Sequence, residues 1–339
     1  MTAPRANIYA VAERAGVSIA TVSRVQRGVG PVSTETRERV EQAIDELGYR
    51  PDPTGRALAG QRLDAMGIVF PDLAGPYYSA VLLGAEAASV AAGSSLLILA
   101  THGRPRAGEL ARELSARVDG LIVMGRTVDD ATVRALAARV PLVLLAREAV
   151  DDLPTVRSAN REPAQRLVMH LVEVHGHARL SFIGDPDASP DAEDRWQGFL
   201  DAHRALGVPA PPAAFKAPFH EKGGREAAGA ALDAHGPTAL VCASDEMAIG
   251  AYGALRERGL RPGIDVAVTG WDDIQLAHFV APALTTVRQP MERMGRLAAE
   301  LLTLRVAGEP AESQTLASVE VIRASCGCDM PPTTREVLQ

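Results

Sequence analysis

The chain has 339 residues, a formal net charge of −7 and 47% hydrophobic residues, enough for sizeable cores in two or three units. It contains no run of about 18 apolar residues, which excludes a helical membrane span, and its opening Met1-Thr-Ala-Pro-Arg5 lacks the apolar stretch of a secretory signal. Cys242, Cys326 and Cys328 are too few for a disulfide framework, so the cytoplasm is the expected compartment.

The first informative stretch is residues 7–28. Ile8, Val11, Ala12 and Ala15 fall at helical spacing on one face. Gly16 can end that helix with positive φ, and Ser18 is a good N-cap for the next. Val22 and Val25 face back to the first helix, leaving Ile19, Ala20, Thr21, Ser23, Arg24 and Arg27 on the remaining surface. This is the layout of a helix-turn-helix, whose second helix brings short side chains close to the bases of a DNA major groove; an ordinary αα-hairpin is the bland alternative. Charge favours DNA. Residues 1–34 carry Arg5, Arg14, Arg24 and Arg27 against Glu13 alone, a local net of +3. Phosphate attraction acts over about one Debye length, roughly 8–10 Å, so an acidic body need not cancel a basic head.

A third helix starts at Ser33, with Val40, Ala43, Ile44 and Leu47 as its buried stripe and Gly48 at its end. Arg50-Pro-Asp-Pro53 is a stiff connector. Thr54–Gly60 is a helical segment too short to be stable alone. From Ala65 the pattern becomes strand–helix alternation. Strands are expected at Met66–Phe70, Leu96–Ala100, Leu121–Met124 and Leu142–Leu145, separated by helices around 78–92, 107–117 and 129–139. A second series has strands at Leu180–Ile183, Ala239–Cys242 and Val266–Thr269, with helices near 161–175, 192–206, 222–235 and 245–258. Such alternation means parallel sheets with right-handed crossovers, here two doubly wound lobes with ligands at the carboxyl ends of their strands. A last strand, helix and strand, about 284–288, 291–306 and 316–322, cross back between the lobes and make a hinge of several chain passages. The expected organisation is therefore a headpiece at 1–50, a linker with a hinge segment at 51–62, and a core at 63–339. Within the core, lobe 1 takes about 63–160 and 290–320, and lobe 2 about 161–289 and 321–330.

Catalytic and metal chemistry are not expected. His102, His175, His177, His203 and His278 sit in no nucleophile or metal spacing, and His175-Gly-His177 reads as capping or surface histidines at a helix-to-strand turn. No Gly-x-Ser-x-Gly elbow, Walker loop or dinucleotide fingerprint occurs, so no cofactor is expected. Cys326-Gly-Cys328 is too closely spaced for half of a usual zinc knuckle and has no second half.

Val11-Ala-Glu-Arg-Ala-Gly-Val-Ser18 and Thr21-Val-Ser-Arg-Val25 resemble the helix-turn-helix signature of the LacI/GalR family of bacterial transcription regulators. Gly30-Pro-Val-Ser-Thr-Glu-Thr-Arg37, Leu47-Gly-Tyr-Arg-Pro51, Gly176-His177, Arg195-Trp-Gln-Gly-Phe199, Ser244-Asp-Glu-Met-Ala248, Gly270-Trp-Asp-Asp273 and Leu284-Thr-Thr-Val-Arg-Gln289 follow in the family's order. The resemblance covers nearly the whole chain. It implies an all-α headpiece followed by a two-lobed α/β core of the periplasmic-binding-protein type (type I). It also implies a dimeric repressor of palindromic operator DNA that senses a small molecule. Thr54–Gly60 matches the family's hinge helix and Leu58 its minor-groove leucine; Gly55 stands where alanine is usual and Asp52 where asparagine is. An apolar wedge of this kind unstacks a base step and bends the duplex.

Ile19, Ala20 and Arg24 are the expected base readers. Arg24 is either a bidentate guanine contact or a phosphate clamp. Ser18, Thr21 and Ser23 are better placed for phosphates, Arg27 for the backbone, and Tyr9 and Arg56 complete the expected DNA contacts. In the core, Tyr77, Tyr78, Arg195, Phe219, Ser244, Asp245, Asp272 and Met291 are the expected effector contacts. Arg195 and Asp272 supply a donor fork and an acceptor for a diol, or only a salt bridge latching the lobe. Tyr77 or Tyr78, with Phe219, stack on a sugar's C–H face. Ala146 stands where many members carry a cleft aspartate, and Asp185–Asp194 is an acidic turn that is either solvated charge or a site for an amine or many hydroxyls. A neutral sugar or polyol effector acting as inducer is expected, with a nucleoside or purine as alternative. The rival function is a sugar-binding protein without a DNA role. No leucine-heptad tail follows Arg323-Ala-Ser325, so a homodimer is expected rather than a tetramer.

Overall fold

The computed structural model describes residues 7–27, 30–49 and 62–328. The chain divides into two compact units, Met1–Leu63 and Asp64–Gln339. In the first, α1 (Ile8–Ala15) is capped by Asn7, whose side chain accepts from Ala10 N at 3.0 Å, and is stopped by Gly16 at φ 66°. Ser18 opens α2 (Ile19–Arg27) by accepting from Thr21 N at 3.1 Å. Ser33 caps α3 (Thr34–Leu47), and Gly48 ends it at φ 57°. Both terminating glycines hold left-handed backbone, which a side chain would strain. Val11, Ala12, Ala15, Val22, Val25, Val40 and Ala43 form one small core between the three helices. Each of these valines and alanines is short, so the helices approach closely.

In the second unit, lobe 1 is a six-stranded parallel sheet in the order β10-β5-β4-β3-β1-β2. Its strands are β1 (Ala65–Phe70), β2 (Ser95–Ala100), β3 (Gly120–Met124), β4 (Leu142–Leu145), β5 (Thr155–Ser158) and β10 (Gln314–Leu316). β1, β3 and β4 are buried along their whole length and read as continuous apolar runs, as central parallel strands must. The edge strand β2 is half exposed. Lobe 2 holds the parallel strands β6 (Leu180–Ile183), β7 (Ala239–Cys242) and β8 (Ala267–Thr269). The antiparallel pair β9 (Thr286–Arg288) and β11 (Val319–Val321) adjoins β8 through bridges at Thr269–Thr285 and Asp272–Arg288.

Two departures from the sequence expectation concern strands. β5, whose Thr-Val-Arg-Ser has no apolar run, lies outside the expected strands. The single strand expected at 316–322 is two: β10 ends the sheet of lobe 1, and β11 belongs to lobe 2. The chain therefore passes between lobes three times, at 159–160, 289–290 and 317–318. Asn160, Gln289 and Ser318, one on each passage, are all buried polar residues.

The helices are α4 (Pro76–Ala91), α5 (Ala107–Ser115), α6 (Asp130–Ala137), α7 (Arg161–Glu173), α8 (Pro190–Leu206), α9 (Glu221–His235), α10 (Asp245–Glu257) and α11 (Met291–Ala307). Glycines set the tightest crossings. A Cβ at Gly84 of α4 would lie 1.8 Å from the Glu292 carbonyl oxygen, and one at Gly295 of α11 would lie 1.9 Å from that of Val81. Gly84→Ala is expected to destabilise the core by about 1–3 kcal/mol, although alanine favours an isolated helix by about 1 kcal/mol, because backbone cannot give way as a side chain tip can. Urea unfolding of the full chain measures it; an unchanged midpoint would mean that α4 and α11 separate freely.

Candidate functional site

On the headpiece, Ser18, Ile19, Ala20 and Arg24 are exposed, Thr21 and Ser23 are half-buried, and Val22 and Val25 turn into the core. Tyr9 on α1 is 67% exposed. α2 thus presents Ile19 and Ala20 at its amino end, and Arg24 further along, to solvent, a surface open to a duplex. Ser18 Oγ and Thr21 Oγ1 lie 2.9 Å apart at that end. Arg56, Leu58 and the side chain of Arg27 lie outside the described residues.

In the core, a cavity of about 490 Å³ opens between the lobes, within the ordinary range for small-molecule sites. Tyr77, Tyr78, Arg195, Phe219, Ser244 and Asp272, all expected effector contacts, line it. They come from the first turn of α4, from α8, from the segment before α9, from the N-cap of α10 and from the loop after β8. The strands point their carboxyl ends at this space, which is why residues distant in sequence converge there.

Arg195 is held by the protein itself. Its Nε donates to Asn160 Oδ1 at 2.8 Å, its Nη1 donates to Ala243 O at 2.6 Å, and its guanidinium lies 4.7 Å from the centroid of the Trp271 ring. Nη2 has no hydrogen-bond partner among the described residues. No ion pair joins Arg195 to Asp272 among the described residues, so the latch reading of that pair has no geometric support. Two buried polar atoms of the wall, Tyr77 Oη and Thr127 Oγ1, lack partners among the described residues. Buried polar groups are nearly always satisfied, so such atoms mark where a ligand or water completes the bonding.

The carboxylates are shaped by burial. Loss of water pushes the Asp272 carboxyl up to about 6, against the opposing pull of Arg195 and the hydrogen bond that Gln289 Nε2 donates to its Oδ1 at 2.6 Å. Burial also raises Asp191, which accepts from Asn160 Nδ2 at 3.1 Å. It raises Glu246 to about 7, with Glu221 adding repulsion. It lifts Tyr78 to about 12.

Ser158 Oγ donates to Gln289 Oε1, and Asn160 Nδ2 donates to the Ser158 carbonyl oxygen at 3.0 Å. One hydrogen-bonded chain therefore runs from Asp272 through Gln289, Ser158 and Asn160 to Asp191 and Arg195, across two of the three interlobe passages. Arg157 bonds Asp194 across the lobes at 2.8 Å, and Arg126 approaches Glu193 at 3.3 Å.

Two expected contacts do not line the cavity. Asp245 turns into lobe 2, its Oδ1 accepting from Thr286 Oγ1 at 2.6 Å and its Oδ2 from Ile274 N at 2.8 Å. Its neighbour Glu246, one helical step of about 100° away, lines the cavity instead. Met291, at the start of α11, packs against the core of lobe 1. Sequence reasoning also missed Asp191, Ser189, Arg126, Thr127 and Glu246. For Asp191 a signal existed in Ser189-Pro190-Asp191, where an N-cap serine, proline at N1 and an acidic first turn start α8 two residues before the expected 192. Its first turn enters the cavity wall, so at least this part of the acidic stretch is not solvated loop. Ala146, at φ 49°, lines the cavity and brings no side-chain acceptor.

Known proteins match both units. Residues 7–52 match the family model described as bacterial regulatory proteins, lacI family, and 168–326 that of a periplasmic binding protein-like domain. The chain is 33% identical over 305 residues to the HTH-type transcriptional repressor CytR of Escherichia coli strain K12, covering 88% of this chain and 89% of that protein. It is 33% identical over 310 residues to the HTH-type transcriptional regulator GalR of Salmonella typhimurium strain LT2, covering 90% of each. Among solved structures, the lac repressor dimer bound to operator and the anti-inducer ONPF superposes with a TM-score of 0.84 at 29% identity, covering 95% of this chain and 99% of that one. The transcriptional regulator CelR in complex with cellobiose gives 0.72 at 30%, covering 95% and 100%. These likenesses span headpiece and core alike. The chain belongs to the LacI family of bacterial transcription regulators: it is a DNA-binding repressor with an effector-binding core, and not an enzyme.

Proposed function

We propose that the chain binds a palindromic operator as a homodimer and releases it when a neutral sugar or polyol fills the interlobe cavity. The observation that carries the effector class is the cavity wall. Tyr77 Oη and Thr127 Oγ1 are buried without partners among the described residues, and Arg195, whose Nε and Nη1 are taken by Asn160 and Ala243, lines the same space as the carboxylates of Asp191 and Asp272. Donors and acceptors spaced around one space suit adjacent hydroxyls, each of which gives and takes a hydrogen bond. Four acidic side chains, Asp72, Asp191, Glu246 and Asp272, against Arg126 and Arg195 disfavour an anionic ligand. The sugar named in the CelR complex supports the same class. Tyr78 and Phe219 offer aromatic faces, which keeps a nucleoside as the second reading.

On DNA, Ile19, Ala20 and Arg24 read base edges, Ser18, Thr21 and Ser23 take phosphates, and Tyr9, Arg27 and Arg56 hold the backbone. Leu58 wedges into the minor groove. Exposed Leu83 and Val90 of α4, seven residues apart on one helix face, with Ile98 of the edge strand, support a dimer contact on lobe 1. Leu276 and Phe279 support its extension onto lobe 2. Effector and operator prefer different lobe arrangements, so each lowers the other's affinity by the same factor. The site of action is the chromosome, in the cytoplasm.

Selection and sequencing of genomic fragments bound by the full chain tests this. A short palindrome beside transporter or hydrolase genes is expected, and one of the sugars handled by those gene products should release the complex in a gel shift. No enriched sequence at low salt, with or without a pool of metabolites, would overturn the regulator reading. Release by nucleosides alone would replace the sugar.

A further inference from the structure

At the pole of lobe 2 remote from the cavity, four side chains converge that the repressor mechanism does not use. His170 in the last turn of α7, His175 just beyond it, and Cys326 and Cys328 near the end of the described chain place one ligand atom each within 4.8 Å of all the others. His170 Nε2 lies 3.6 Å from both sulfurs, and His175 Nε2 lies 3.3 Å from Cys328 Sγ. The two imidazole rings stand edge to face with centroids 5.0 Å apart. We infer that these residues form a structural Cys2His2 zinc site.

The three nitrogen–sulfur distances of 3.3–3.6 Å match the edges of a tetrahedral zinc site. Zn–S bonds of about 2.3 Å and Zn–N bonds of about 2.0–2.1 Å at tetrahedral angles put nitrogen and sulfur about 3.5 Å apart. A sulfur-and-imidazole set of this shape selects zinc among common cations. Two thiolates neutralise the dication, and binding releases both thiol protons, including the one Cys326 now donates to the Arg323 carbonyl oxygen at 3.2 Å.

Local backbone brings the ligands into place. Gly327 at φ 101° turns the chain between the cysteines so that both sulfurs face one side, and Gly176 at φ 69° follows His175. A Cβ at Gly327 would sit 3.4 Å from His175 Nδ1, so the cysteine turn packs directly on that imidazole. None of the four residues lines the cavity. The strands of lobe 2 aim their carboxyl ends at the cavity, whereas His175 lies between the end of α7 and the start of β6, at their amino ends. The role is therefore to fasten the segment after β11 to α7. Because Cys326 belongs to the apolar core of lobe 2, the fastening reaches that core. Sequence spacing alone hid the site. Cys326-Gly-Cys328 lacks a second half nearby, and its second half is His170 and His175, about 150 residues earlier.

The test is elemental analysis of the full-length protein purified in reducing buffer without chelator, then removal and return of zinc against a competing indicator. One zinc per chain is expected. Cobalt loaded in its place should give the ligand-field and thiolate charge-transfer absorption of tetrahedral S2N2 coordination. Cys328→Ser and His175→Gln, both at partly exposed positions, should each weaken zinc binding on the order of a hundredfold, about one ligand's share of the affinity. Both should keep effector binding and the circular dichroism of the parent. Wild-type protein that binds zinc no more tightly than these folded variants would overturn the inference. So would a Cys326–Cys328 disulfide, detected as a parent mass lighter by two hydrogens that resists thiol alkylation.

Discussion

Arg195→Ala is expected to weaken effector binding by about 30- to 150-fold, the equivalent of losing one charge-assisted hydrogen bond of about 2–3 kcal/mol. The guanidinium is fixed on one side by Asn160 and Ala243 and below by Trp271, so its unused nitrogen meets a ligand without first losing rotamer freedom. Asn160 lies on an interlobe passage, and the substitution should also blunt the effector's control of operator binding. Arg195→Lys separates the two effects. Its ammonium keeps the charge but cannot hold Asn160 and Ala243 with a planar fork. Isothermal titration on protein whose melting has been checked gives the affinity, and a gel shift with and without effector gives the coupling. Equal effector affinity in Arg195→Ala and the parent would remove Arg195 from the site.

Asp272→Asn should stabilise the ligand-free protein above pH 6 while weakening the effector about tenfold or more, through loss of a charged acceptor. Burial raises the folded value of Asp272 from 3.8 to about 6. Between these values the unfolded chain has released its proton and the folded chain still holds it. Stability is therefore unaffected by this group below about pH 4, falls as the pH rises to about 6, and stays reduced above, by up to about 3 kcal/mol. Asparagine cannot ionise, and its Oδ1 can still accept from Gln289. Urea midpoints measured from pH 4 to pH 8 should match the parent at the acid end and exceed it at neutral pH. Asp191 is raised in the same way and is retained in the variant, so part of the slope remains. A variant whose pH profile overlies the parent's would show that Asp272 does not carry this strain. A site that lowers the stability of the empty protein fits a cavity shaped for a ligand rather than for packing.

For an effector bound as proposed, the hydrogen-bonded chain from Asp272 to Arg195 would be the route to the interlobe passages. A ligand hydroxyl that binds Asp272 competes with Gln289, and one that binds Arg195 Nη2 bears on the residue that positions Asn160. Asn160 and Gln289 are both buried on interlobe passages.

Local signals in the sequence determined the elements of this protein. The spacing of Val11, Ala12 and Ala15, the cap at Ser18 and the stop at Gly16 define the helix-turn-helix from neighbouring residues alone, because caps and helical faces depend on contacts within about four positions. Apolar runs gave the central strands for the same reason, since a parallel strand buried on both faces must be apolar throughout. β5 carries no apolar run because Thr155 and Ser158 are buried polar residues; the Thr155 backbone N–H and the Ser158 hydroxyl donate to Ser313 and Gln289, more than 100 positions away. The family motifs named Arg195, Ser244 and Asp272. Only the tertiary structure decided that Asp245 turns inward to Thr286 while Glu246 faces the cavity, and that Asp191 joins the wall. The histidines at 170 and 175 and the cysteines at 326 and 328 are the limiting case. No local pattern links them, because the four ligand atoms meet only after α7 and the last segment have packed on the same lobe.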